Sequence, residues 1–143
     1  MASHESDIRA LLDSRVDASR TKDIDRLMSH YSDDIVYYDA VPPLQFTGRE
    51  EVRGNFERWF GEYDGPIGLE THALTIASGA SDIAFAHMLH LDSGTRRNGL
   101  DIGIWVRSSV CFRQLNGRWL ITHEHISMPI DPQTLQAWFP PDM

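Results

Sequence analysis

The chain has 143 residues, 41% hydrophobic and 24% charged, which suits one globular domain with its own core. Thirteen basic against 21 acidic residues give a formal net charge of −8, which argues against nucleic acid or an anionic membrane as partner, since both need clustered Lys and Arg. The single Cys111 excludes an intrachain disulfide, no apolar run approaches the roughly 18 residues of a membrane span, and the opening MASHESD lacks the basic and apolar regions of a signal peptide, so a cytoplasmic location is expected.

Ser6-Asp7-Ile8 opens a first helix, in which Ile8, Leu11, Leu12, Arg15, Val16 and Ser19 recur at helical spacing. Asp23 is an N-cap candidate for a short second helix carrying Ile24, Leu27, Met28 and Tyr31, broken by Ser32-Asp33-Asp34. Ile35 to Asp39 reads as a strand, and Val41-Pro42-Pro43 as a turn that cannot continue a ladder. A third helix starts at Thr47 or Gly48, with Val52, Phe56, Trp59 and Phe60 on one face, and the glycine-rich Gly61 to Gly68 reads as a loop.

The second half reads as strands. Leu69 to Ala77 and Asp82 to Leu91 flank a turn at Ser78-Gly79-Ala80-Ser81, and Asp92 to Asn98 is a polar loop. Leu100 to Leu115 and Arg118 to Met128 flank Asn116-Gly117, a strong hairpin signal. Residues 129–143 form a proline-rich tail whose Trp138-Phe139 can tuck back onto the body. The order α-α-β-α-β-β-β-β implies an α+β domain over 1–143, with helices packed on one face of an antiparallel sheet.

A two-residue turn at Asn116-Gly117 sets a register with Leu115 opposite Arg118, hence Val110 opposite His123 and Ser108 opposite His125. His123 and His125 then share the apolar face with Phe112, Trp119 and Ile121, while Glu124 points outward with Arg107, Ser109 and Cys111. The same reasoning on the other hairpin pairs Ile76 with Ile83 and His72 with His87, turning these two histidines inward and His90 away. Asp39 closes the first strand, two residues after Tyr37, where a carboxylate can cap the mouth of an apolar cavity.

The element order and several motifs resemble the nuclear transport factor two-like superfamily, in its SnoaL-like or ketosteroid isomerase-like branch. The motifs are Lys22-Asp23-Ile24-Asp25, Ser32 to Asp39, Gly48-Arg49-Glu50-Glu51-Val52, and Asn116-Gly117-Arg118-Trp119 followed by His123-Glu124-His125-Ile126-Ser127. The resemblance spans roughly Ile8 to Pro129 and implies a cone: a curved, mostly antiparallel mixed sheet wrapped around three N-terminal helices, with a pocket at the open end and a homodimer through the outer sheet face. It places Asp39 where steroid isomerases carry their general base. The two oxyanion donors of those enzymes fall at Arg15 and near Val110, so both are missing and steroid isomerisation is disfavoured.

Each signal also has a structural reading. Asp39 suits a turn ahead of the prolines, Tyr37 suits a core aromatic, and strand histidines are commonly satisfied by backbone carbonyls. The functional expectation is a cofactor-free isomerase, dehydratase or cyclase for a small apolar carbonyl- or hydroxyl-bearing compound. Asp39, His123 and His87 are the acid/base candidates, and Tyr37, His72, His125, Phe56, Trp59 and Val110 the substrate contacts. The competing expectation is a non-catalytic ligand-binding or dimerisation module. A third is a metal site built from inward histidines and Asp39. Serine-triad hydrolysis lacks a nucleophile-elbow context.

Overall fold

The computed structural model describes residues 4–141, so the outermost residues of the expected domain and tail, Met1–Ser3 and Asp142–Met143, lie outside the described residues. Helix α1 spans Glu5–Arg20 and buries Ile8, Leu11, Leu12, Arg15, Ala18 and Ser19 as one stripe. Helix α2 (Ile24–Met28) starts at the Asp23 cap, whose carboxylate accepts from the Arg26 amide at 3.2 Å. Helix α3 (Gly48–Gly61) is held at its start by the Glu51 carboxylate, which accepts from the Thr47 amide at 3.1 Å.

Six strands form one sheet in the order β2-β1-β6-β5-β4-β3, where β1 is Tyr31–Tyr38, β2 Phe46–Thr47, β3 Tyr63–Ala77, β4 Ile83–Arg96, β5 Asp101–Leu115 and β6 Arg118–Ser127. Only β1 and β6 run parallel. The curved, unclosed sheet wraps the helices in a cone: α1 packs on β3, and α3 on β1. Tyr31, Ile35, Ile67, Val110, Phe112 and Ile121 are almost fully buried between the layers. Side chains of this size stabilise the fold by about 1.5–3 kcal/mol each.

Three strands are longer than expected. Tyr31 belongs to β1 rather than to the second helix, and Ser32-Asp33-Asp34 continues that strand instead of breaking the chain. β3 begins at Tyr63, inside the expected Gly61–Gly68 loop, and β4 runs to Arg96, through most of the expected Asp92–Asn98 loop. Ladder hydrogen bonds to a neighbour override the weak strand propensity of Gly, Pro and Asp in these segments.

Two bulges and the length of one hairpin loop decide which side chains face the core. In the β5–β6 hairpin the Asn116-Gly117 turn forms as expected, both residues at positive φ (53° and 77°), with Leu115 opposite Arg118 and Phe112 opposite Ile121. The next pair is Cys111 with His123, so Thr122 is an extra residue. Beyond it Val110 faces Glu124 and Ser109 faces His125, which reverses the expected orientation: Glu124 is buried, and His123 and His125 lie on the outer face.

In the β3–β4 hairpin the loop is Ser78–Asp82, longer than a two-residue turn, and Ile76 pairs with Ala86 instead of Ile83. An odd shift exchanges the faces. A second irregularity lies between His72 and Thr75, where Ala73 takes φ 54°. As a result His87 and His72 are exposed, and His90 is the buried histidine of β4.

Removing Thr122 should be tolerated. Ile121 and His123 would become neighbours on opposite faces, as in a regular strand, and Glu124 would stay inward. Urea unfolding should remain one cooperative transition with an unchanged slope. Loss of cooperativity would show that the bend itself holds the sheet.

Candidate functional site

Between the helices and the concave face of the sheet lies a cavity of about 160 Å³. Leu27, Phe56, Leu69, Ile104, Val106 and Ile126 give it apolar walls. The period-two alternation of β4 delivers His90, Asp92 and Arg96 to this interior, and the bulge in β6 delivers Glu124. Helix α1 delivers Arg15, and β1 with its extension delivers Tyr31, Tyr37 and Asp39.

The deepest polar group is a buried ion pair. Arg15 Nη1 lies 2.8 Å from Glu124 Oε1, and both side chains are about 5% exposed or less. The Tyr31 hydroxyl donates to the same oxygen at 2.7 Å. Burial alone would lower the Arg15 pKa, but Glu124, Tyr31 and Tyr37 outweigh it and raise it, so the guanidinium stays charged. Arg15 Nη2 lies 3.2 Å from His90 Nε2. A guanidinium can only donate, so Nε2 accepts and the imidazole proton sits on Nδ1, 3.2 Å from the Thr71 hydroxyl. Burial and the adjacent Arg15 charge push His90 down to about 3, which keeps it neutral.

A second polar tier lies nearer solvent. Asp39 Oδ2 accepts from Asn55 Nδ2 at 2.7 Å and Oδ1 from the Ala40 amide at 2.6 Å, with Arg58 Nη2 at 3.9 Å. Glu62 is bound by Arg58 and, at 3.1 Å, by Arg96. The Tyr37 hydroxyl has no hydrogen-bond partner among the described residues; its ring packs edge-on against Phe56. Burial, then Glu124 and Asp39, raise its pKa well above the usual phenol value, so Tyr37 remains a neutral donor.

Asp92 stands apart. Its Oδ2 accepts from the Trp59 indole at 3.0 Å, while Oδ1 is buried without a partner. Burial raises its pKa to about 6, against the pull of the Trp59 and Tyr63 hydrogen-bonding groups and of Arg96. The Tyr63 ring beside it rests on Gly94, where a Cβ would fall 2.8 Å from Tyr63 Cδ1; only glycine lets the ring lie there.

Of the residues expected from the sequence to act, Asp39, Tyr37, Phe56 and Trp59 line the cavity. His87, His72, His123 and His125 do not; the bulges, and for His87 the Ser78–Asp82 loop, turn them to the outer face. There His123 Nδ1 donates to the Val36 carbonyl at 2.7 Å, and the Tyr38 ring contacts both His123 and His125. His72 packs on Trp105. Val110 is fully buried in the core behind the cavity wall. Among the described residues no three His, Cys, Asp or Glu side chains come together as a metal site needs. Arg15, His90, Asp92 and Glu124 escaped the sequence reading. The one available signal was that Arg15 falls on the apolar stripe of α1, where an arginine requires a buried counter-charge.

The family model described as the SnoaL-like domain matches residues 8–131. The chain belongs to this family. An NTF2-like protein of unknown function from Pseudomonas putida is 34% identical, with a TM-score of 0.85 over 97% of this chain and 94% of that one. A ketosteroid isomerase-like protein from Erwinia carotovora atroseptica is 20% identical, with a TM-score of 0.71 over 84% and 92%. The association domain of C. elegans CaMKII is 20% identical, with a TM-score of 0.68 over 87% and 95%. The last two share the fold. No curated protein matches. Among the described residues no helix is long and apolar enough to cross a membrane.

Glu124→Gln leaves the Arg15 charge buried without a counter-charge and should cost about 3–5 kcal/mol in urea unfolding, whereas the double replacement Arg15→Met with Glu124→Leu should recover most of it. A second measurement concerns Asp92. Its folded pKa of about 6 lies above the ordinary 3.8, so its contribution to stability is complete below about pH 4 and lost as pH rises through about 6. Asp92→Asn should therefore gain on the wild type between pH 4 and 7, by roughly 2–3 kcal/mol. A pH-independent difference would show the carboxyl to be solvated.

Proposed function

We propose that the SnoaL-like cavity is a cofactor-free acid/base site of the isomerase, dehydratase or cyclase type, acting on a compact ring compound that bears a carbonyl. The observation that carries this reading is the pairing of Asp39 with Tyr37. The two residues are two apart at the end of β1, line one cavity, and have complementary states: a carboxylate oriented by Asn55 and the Ala40 amide, and a neutral phenol with nothing to donate to. Asp39 takes a proton from the carbon next to the carbonyl. The electron pair moves onto the carbonyl oxygen, and the Tyr37 hydroxyl donates a hydrogen bond to the enolate.

Size supports a small substrate. A cavity of about 150 Å³ holds one benzene ring, and this one is about 160 Å³. Four fused rings do not fit within it. The position that gives steroid isomerases a helix-one donor is occupied by Arg15, already committed to Glu124 and His90.

The outer sheet face supports pairing with a second copy of the chain. Ile83 and Phe85 project from it at 57% and 53% exposure. Phe85→Arg should then sediment as a monomer; an unchanged mass would remove this face as the interface.

The catalytic reading is tested by hydrogen–deuterium exchange at the α-carbon of cyclohexanone in D2O, followed by NMR. Asp39→Asn should slow enzyme-catalysed exchange by about two to four orders of magnitude, and Tyr37→Phe by about two to three. Ring-induced shifts of the ligand should persist in both variants. Unchanged exchange in Asp39→Asn would remove it as the base and leave a binding module.

A further inference from the structure

Four carboxyl groups line the cavity: Asp39, Glu62, Asp92 and Glu124. Three have an ion-pair partner among the described residues. Asp39 has Arg58, Glu62 has Arg58 and Arg96, and Glu124 has Arg15. Asp92 has none; its hydrogen bond comes from the neutral Trp59 indole, and its second oxygen is buried and unpartnered. We infer that Asp92 is a second proton-transfer residue, the acid that protonates a departing hydroxyl, which makes the substrate a β-hydroxy carbonyl compound on a single ring and the reaction a loss of water. This rests on the reading of Asp39 as base.

The surroundings suit a proton donor. Glu62 and Trp59 face Asp92 from the end of α3, Tyr63 from β3, and Arg96 from its own strand, with His90 two residues away. Glu62 disfavours a second negative charge nearby, and Arg96, which would favour one, is engaged by Glu62 at 3.1 Å and by the Tyr63 ring. Burial holds the carboxyl half-protonated near pH 6, where a donor is most effective. His90 cannot serve instead. It is neutral, its Nε2 is occupied by Arg15, and its Nδ1 proton is directed to Thr71.

The step balances without a cofactor. Asp39 removes the α-proton and becomes protonated. The resulting enolate expels the β-oxygen as its electron pair forms the carbon–carbon double bond. The leaving oxygen takes the Asp92 proton and departs as water. Asp92 is left ionised and Asp39 protonated, and exchange with solvent at the cavity mouth restores both.

The test uses the intact protein and a β-hydroxycyclohexanone, with α-exchange and enone formation followed in one sample. In Asp92→Asn, α-exchange should persist while enone formation falls at least a hundredfold; the amide oxygen still accepts from Trp59, which preserves the local fold. Wild-type enone formation should also decline as pH rises through about 6, with α-exchange sustained. Equal enone formation in Asp92→Asn, or exchange without enone in the wild type, overturns the role of Asp92 and leaves the base standing. Absence of both reactions in the wild type overturns the base as well.

Discussion

The interior of this protein depends on one residue of β6 being left out of the ladder. Thr122 has no partner on β5, and that single offset turns Glu124 toward the core instead of the solvent. A carboxylate buried there requires a cation. Arg15 supplies it from α1, and the Tyr31 hydroxyl completes the arrangement. Burial, and after it the charge of Arg15, keep His90 neutral. A helix, the parallel pair of strands and the fourth strand are thus tied together by one ion pair. Such a pair is weak evidence for stability, but removing one partner leaves the other charge buried and unpaired.

The ion pair separates the cavity into two chemical levels. Below, positive and negative charges cancel and every titratable group has a settled state: Arg15 charged, His90 neutral, Tyr31 a phenol. Above, Asp39, Tyr37 and Asp92 line an apolar space, Tyr37 with a hydroxyl that has no partner among the described residues and Asp92 with one oxygen buried and unpartnered. Catalysis by proton transfer needs groups whose environments differ, and two carboxyls of the same cavity meet that condition here. One is held by two donors and stands near an arginine; the other is buried, with a single hydrogen bond from an indole and no ion-pair partner among the described residues.

Much of the fold was legible in the sequence because it is carried by local signals. The apolar stripe of α1, the Asp23 cap and the Asn116-Gly117 turn all formed where read. The site was only half legible. Asp39, Tyr37, Phe56 and Trp59 lie where propensity and position suggested, since the register shift of β1 falls ahead of Val36 and α3 is one continuous helix. The histidines were misplaced for a physical reason. Facing along a strand is a parity, and one unannounced residue inverts everything past it. Neither Thr122 nor Ala73 carries the glycine that usually betrays a bulge, which hides the outward facing of His123, His125 and His72 and the inward facing of Glu124, while the length of the Ser78–Asp82 loop decides His87 and His90. Asp92 was missed because an acidic, glycine-containing segment resembles a loop until a neighbouring strand is there to pair with it.

The contact between Trp59 and Asp92 has a practical side. An indole whose N–H rests on a carboxyl feels directly whether that carboxyl is charged, and its emission colour and yield respond to a nearby negative charge. The cavity therefore contains a native fluorophore wired to its least settled proton, and its occupancy can be followed by light alone, without a label.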